Sequence, residues 1–226
     1  MVRLLRDGGI AVVGTTRTPA KGRALSTLGA TPVVVDVFDA EAVARAVDVA
    51  EPDVVVHQLT DLPSAPGSPG YAQAQAANAR LRVEGTRNLM AAAAAGGVRR
   101  VVAQSIAFIY AAGPGVRVES DPLEASGDPT RANTIAGVRA LESAVLDGEG
   151  IDGLVLRYGL LYGPGTWYGA PPKPPSVHVD AAAQAAASAV RRGAAGIYNV
   201  ADDDGAVSSE KAKREFGFDA SFRLTP

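Results

Sequence analysis

The chain has 226 residues, 47% of them hydrophobic, enough for one sizeable core at roughly 100–200 residues per domain, so residues 1–226 read as a single domain. A net charge of −2 with scattered arginines offers no basic stripe for nucleic acid, the lack of cysteine removes disulfides and thiolate metal sites, and two histidines, His57 and His178, are too few for most zinc chemistry. The alanine-rich stretches are broken by Gly, Arg or Gln well short of the roughly 18 apolar residues of a membrane span, and Met1 to Arg6 lacks a signal peptide's apolar core, so a cytoplasmic protein is expected.

Met1 to Arg6 has the pattern of the last turns of a helix, stopped by Gly8-Gly9. Ile10 to Val13 is a short β-branched strand that runs into Gly14-Thr15-Thr16-Arg17. A polar helical segment from Pro19 to Leu28 follows, then a strand from Thr31 to Val35 that closes at Asp36. Asp39 caps a helix with Val43, Ala46, Val47 and Ala50 at helical spacing, and Pro52 to Gln58 is the next strand. Strand and helix alternate, which argues for a parallel, doubly wound sheet of the Rossmann-like α/β class.

Proline, glycine and serine between Leu62 and Gly70 make a surface loop. From Tyr71 to Ala95, Leu81, Gly85, Leu89 and Ala92 fall on one face of a helix that Gly96-Gly97 ends. Val98 to Ala103 is a strand continuing through Gln104-Ser105 towards Tyr110, and Pro129 to Leu146 a helix with Val138, Leu141 and Val145 inward. Gly153 to Gly165 then reads as a strand buried on both faces that leads into a turn, Tyr162-Gly163-Pro164-Gly165, where a parallel sheet opens its ligand crevice. Arg157 at that strand end is the group to reach a phosphate or carboxylate, or else half of a core salt bridge. Pro171, Pro172, Pro174 and Pro175 make an extended connection, Asp180 caps an alanine-rich helix, Ile197 to Val200 is a last strand and Lys211 to Phe216 a last helix.

Several stretches resemble the NAD-dependent epimerase/dehydratase family of extended short-chain dehydrogenases/reductases: Val83-Glu84-Gly85-Thr86-Arg87-Asn88-Leu89, Leu156-Arg157-Tyr158-Gly159 with Tyr162-Gly163-Pro164-Gly165, His178-Val179-Asp180, Tyr198-Asn199-Val200 and Lys211 to Phe218. The resemblance implies a dinucleotide cofactor held at strand ends. Thr16-Arg17 stands where an arginine accommodates a 2′-phosphate, so NADP is favoured, with NAD the alternative. Asp36 and Val37 match the positions that contact adenine, although Asp36 equally suits helix initiation, and Leu59 and Thr60 match those beside the nicotinamide ribose. Arg157, Tyr162 and His178 are the implied substrate contacts.

The departures from the family pattern are specific. No strand followed by a glycine-rich turn and helix occurs to hold the pyrophosphate, so the first strand and loop of the fold are absent from residues 1–226; a natural truncation and a displaced start site leave the same pattern. The substrate lobe within residues 166–226 also reads as shortened. None of the six tyrosines is followed four residues later by a lysine, the pair that supplies the family's acid/base; the aligned positions hold Thr134 and Val138, or Ile135 and Arg139 if the register shifts by one residue. Ser105, Thr134 and Tyr110 are the remaining catalytic candidates, with Ser105 and Thr134 expected to share a crevice with Arg157, and no metal site is expected. The implied activity is an NADP-dependent oxidoreductase or epimerase/dehydratase-like enzyme of atypical chemistry on a small polar or nucleotide-linked substrate, with a homodimer compatible; the alternative is a dinucleotide-binding sensor or pseudoenzyme.

Overall fold

A computed structural model describes residues 1–62 and 65–224. The chain runs α1 (Val2–Asp7), β1 (Val13–Thr16), α2 (Pro19–Thr27), β2 (Thr31–Val34), α3 (Ala40–Ala50) and β3 (Val54–His57). Next come α4 (Tyr71–Arg80), a π-helical turn (Leu81–Gly85), α5 (Thr86–Ala95), β4 (Arg100–Ile106), α6 (Pro129–Leu146) and β5 (Asp152–Tyr158). The last elements are β6 (Leu160–Tyr162), β7 (Ser176–His178), α7 (Val179–Ala189), β8 (Gly196–Val200) and α8 (Glu210–Phe216). Pro63 and Ser64, in the expected surface loop, lie outside the described residues.

Every strand ladder is parallel. The main sheet has the order β3-β4-β5-β8, β1 pairs with β2, and β6 pairs with β7. The β1-β2 pair shares no ladder with the main sheet among the described residues. Alternation along the strands divides the core in two. Val102, Leu154, Leu156 and Tyr198 face the alanine-rich α7 and α8, whereas Val101, Ala103 and Val155 face α3, α5 and α6. Both faces are covered by helices, as near-continuous apolar strands require. Among the described residues no helix is long and apolar enough to cross a membrane.

Three local expectations shift. The first strand lies at Val13–Thr16 rather than Ile10–Val13, because Ile10 donates its N–H to the Leu5 carbonyl and so belongs to the closure of α1. Helix α7 is capped by His178, whose Nδ1 accepts from the Asp180 N–H, and Asp180 stands inside the first turn. The strand expected from Gly153 onward divides at Gly159 into β5 and β6. Leu160 donates to Pro175 O there, and β7 crosses directly beneath the break. A Cβ at Gly159 would stand 2.6 Å from the Ser176 carbonyl carbon, so only glycine admits this crossing.

Gly159→Ala must therefore push β7 away from the sheet, and a loss of about 2 kcal/mol is expected, in the overpacking range. Urea unfolding checks this, and an unchanged midpoint would show that β7 yields freely.

Candidate active site

The carboxyl ends of β3, β4 and β5 open on a cavity of about 570 Å³, where crevices in parallel sheets lie. Thr60 after β3, Ser105 and Ile106 at the end of β4, and Tyr158 at the end of β5 form its sheet side. Thr134 on α6 and Arg82 in the π turn border it from the helices. Phe108, Trp167 and Tyr168 give it aromatic walls.

Beneath the cavity lies a buried polar network. Glu142 on α6 accepts from Arg157 Nε at 2.8 Å and Arg157 Nη2 at 2.7 Å, and Ser105 Oγ donates to the same carboxylate at 2.7 Å. Arg157 Nη1 also donates to Tyr110 Oη and to the Glu119 carbonyl, and Tyr110 Oη donates to Asn199 Oδ1 at 2.7 Å. Burial works against the Arg157 cation, but hydrogen bonding and charge from Glu142 outweigh it and hold its pKa above the ordinary arginine value. Burial likewise raises the Tyr110 phenol against the opposing pull of Arg157.

These contacts correct three expectations. Arg157 is 3% exposed, its guanidinium is committed to Glu142, Tyr110 and Glu119, and it does not border the cavity. It ties β5 to α6 and is not placed to meet a substrate anion. Ser105 does border the cavity, but it is 1% exposed and its one proton goes to Glu142, so it is not a free acid. Tyr110 lies in the network and not at the cavity wall. Thr134 reaches the cavity as expected, half-buried, with its hydroxyl donating to Thr130 O, while Val138 is sealed into a small core with Ile106, Ile109 and Ile135.

Tyr162 and His178 are register partners across β6 and β7, with their rings edge to face at 5.2 Å. Tyr162 borders a different, 520 Å³ cavity beside Asp202, Lys213 and Arg223. The structure thus separates both from Thr134. On the other side, Arg17 makes a forked contact with Asp61, 2.9 Å for Nη2 to Oδ1, at the surface. That hydrogen bond and the Asp61 charge raise the Arg17 pKa. Thr16 Oγ1 accepts from the Thr18 N–H. Asp36 accepts from the Phe38 N–H in a tight turn, Val37 is buried with its carbonyl held by Asn88, and Leu59 packs on the core while donating its N–H to His57 Nδ1.

That last bond sets the state of His57. With Nδ1 accepting from Leu59, the proton sits on Nε2 and is donated to Thr86 Oγ1 at 2.9 Å. Burial, reinforced by the charge of Arg82, pushes the His57 pKa down to about 4. Arg82 is the residue that sequence reasoning passed over. It is 8% exposed, and burial pushes its pKa down to about 10, with Glu142 opposing the fall and Arg131 adding to it. Its position one helical turn from Asn78 and three residues before Gly85, on an inward face, was the available signal.

Parallel strands flanked by helices, with a crevice at their carboxyl ends, define a Rossmann-like α/β protein. Residues 1–218 match the NAD dependent epimerase/dehydratase family, and the chain belongs to that family. It is 45% identical over 199 residues to a 3-diazoavenalumate denitrifying reductase from a Streptomyces species, a match covering 79% of this chain and 64% of that protein. The chain therefore spans just under two thirds of the length of this curated relative. Among solved structures it resembles UDP-glucose 4-epimerase from Thermotoga maritima, determined with UDP-glucose, at 15% identity and a TM-score of 0.74, covering 97% of this chain and 88% of that one. It also resembles a double mutant of dTDP-glucose 4,6-dehydratase from Streptomyces venezuelae with NAD bound, at 20% identity and a TM-score of 0.69, covering 98% and 88%. Both likenesses are of fold.

The residues present fit the two ends of a nicotinamide dinucleotide. Arg17 and Asp36 stand exposed at the ends of β1 and β2, and Thr60 borders the cavity. No strand, glycine-rich turn and helix in succession occur within residues 1–226 to cradle the pyrophosphate between them.

Two measurements check this chemistry. Arg157→Met should cost about 3–5 kcal/mol by leaving Glu142 buried without its cation, while Arg157→Met with Glu142→Leu should recover most of that loss; a double-mutant cycle in urea reads the coupling. For His57, the unfolded chain takes a proton near pH 6.5 and the native chain only near pH 4, so between these values the unfolded state holds more protons and stability is lost as the pH is lowered. This group should remove roughly 3 kcal/mol over that window at about 1.36 kcal/mol per pKa unit, and the difference between the parent and His57→Gln across pH reports it.

Proposed function

We propose that the chain acts as an NADP-dependent reductase on a small aromatic substrate lodged in the cavity between Thr60, Thr134 and Trp167. The observation that carries this reading is the cavity's composition: Phe108, Trp167 and Tyr168 give it aromatic walls at the strand ends, and the Ser105 hydroxyl beside them is spent on Glu142. Tyr158 borders it too, but its hydroxyl accepts from Gln58 and burial raises its pKa, so it keeps its proton.

A nicotinamide dinucleotide, when bound, supplies a hydride. Replacing a diazonium group by hydride forms one C–H bond, breaks one C–N bond and expels dinitrogen with the bonding pair, so the reacting carbon needs no proton from the protein. The family's acid/base pair is dispensable in such a reaction, which fits a chain with Thr134 and Val138 in its place. A relative named as a denitrifying reductase of a diazo compound supports the same class. The protein's own work is to stack the ring between Phe108, Tyr158 and Trp167, to keep bulk water from the reacting carbon, and to orient substrate polar groups at Thr60 and Thr134.

Arg17 supports NADP over NAD. Asp61 takes two of its five N–H donors, and the rest remain at the surface for a 2′-phosphate. The second reading, a dinucleotide-binding sensor without turnover, is favoured by the commitment of Ser105 and Tyr110 to the buried network.

Incubation with NADPH and a phenolic aryl diazonium salt should oxidise NADPH and release dinitrogen in equal amounts, above the uncatalysed rate. Arg17→Ala should raise the KM for NADPH at least tenfold, the loss of a charge-assisted contact of about 1.5–3 kcal/mol, with little change for NADH. No dinitrogen above background would leave the sensor reading standing, and equal losses for both cofactors would remove NADP preference.

A further inference from the structure

Most charged side chains around the cavity have partners. Glu142 is matched by Arg157, which takes both of its oxygens, and Arg131 is matched by Glu124, with Nη2 to Oε2 at 2.8 Å and a further bond to the Phe108 carbonyl. A third carboxylate, Asp128, also borders the cavity and caps α6 by accepting the Arg131 N–H. Arg82 is left over. It makes no hydrogen bond and no ion pair among the described residues, although more than nine-tenths of it is buried. Its neighbours cannot serve, because His57 is neutral and bonded to Thr86.

Most of the Arg82 side chain is withdrawn from bulk water while its guanidinium opens on the cavity, a costly placement without a partner. Arg82 borders the cavity, and none of its nitrogens is sealed from it. The turn that carries it is π-helical, a local irregularity that concentrates at functional sites. The rest of the wall selects the ligand's other end. Phe108, Tyr158, Trp167 and Leu161 offer flat apolar surface and no further unpaired cation. One unpaired fork facing aromatic walls suits one planar, singly charged anion, since a guanidinium meets a carboxylate through two parallel N–H···O bonds.

From this arrangement we infer that Arg82 is the anchor for the carboxylate of a small aromatic acid, whose ring lies against Trp167 and Tyr158. This rests on the aromatic-substrate reading above and adds its charge and orientation: carboxylate towards the π turn, ring towards the strand ends. The inference is independent of turnover, so its test is binding.

Calorimetric titration of the whole chain with benzoate, trans-cinnamate and trans-cinnamate methyl ester, with fluorescence of Trp167 as the local readout, decides it; this is the chain's one tryptophan. At least one acid should bind saturably and quench Trp167, and the ester should bind at least tenfold more weakly. Arg82→Met should lose at least tenfold for the acid and nothing for the ester, and its melting temperature without ligand should be no lower than the parent's because a buried charge is gone. Arg82→Lys should fall between the two. Neither acid binding, an ester that binds as well as its acid, an unchanged affinity in Arg82→Met, or UDP-glucose displacing the acid would each overturn the assignment. Acid-over-ester preference without dinitrogen release would sink the reductase reading and leave Arg82 in place, whereas dinitrogen release from diazonium acids and esters alike would do the reverse.

Discussion

Glu142 on α6 and Arg157 on β5 meet through two parallel hydrogen bonds in a part of the molecule nearly closed to water. Each ion alone would be expensive there, so neither side chain can leave without stranding the other. The pair therefore fixes how α6 lies across β4 and β5. Ser105, level with Arg157 in the β4-β5 register, and Tyr110 and Asn199 further along extend the same lock to three strands and a loop. The cavity above inherits its shape from that lock, because Thr134 rides on α6 and Tyr158 follows Arg157 directly.

The same contact decides which polar groups reach the cavity, because Ser105, Tyr110 and Arg157 are spent on the network that holds α6 down. What borders the cavity is an aromatic surface, polar side chains that include Thr60, Thr134 and Asp128, and the guanidinium of Arg82. The fold supplies a dinucleotide crevice at the strand ends, and fold alone does not decide what is reduced or rearranged there. The likeness to nucleotide-sugar enzymes speaks to the sheet, and the composition of the cavity speaks to the substrate.

Much of the architecture was legible in the residues. Alternation of β-branched runs with helical spacing located most strands within a residue or two of their observed ends, because buried parallel strands have little freedom to be anything but apolar. Val138, Leu141 and Val145 faced inward as their spacing required. The misplacements came where a few residues serve two elements at once. Ile10 is as β-branched as any strand residue, yet its N–H completes α1, and Gly159 looks like one more residue of a strand until β7 is seen beneath it.

The sequence by itself determined the class of fold and the family, since these depend on periodicity and on which residue types occur in what order. Only the tertiary structure decided which polar side chains are free. Arg157 and Arg82 read alike as arginines near apolar runs, and spacing along a chain does not say which of two guanidinium groups will find a carboxylate. That is settled by α6 bringing Glu142 over Arg157 and over Ser105, while no carboxylate among the described residues bonds to Arg82. Pairing of buried charges is a matter of distances across elements far apart in sequence, so it appears only when the helices are laid on the sheet.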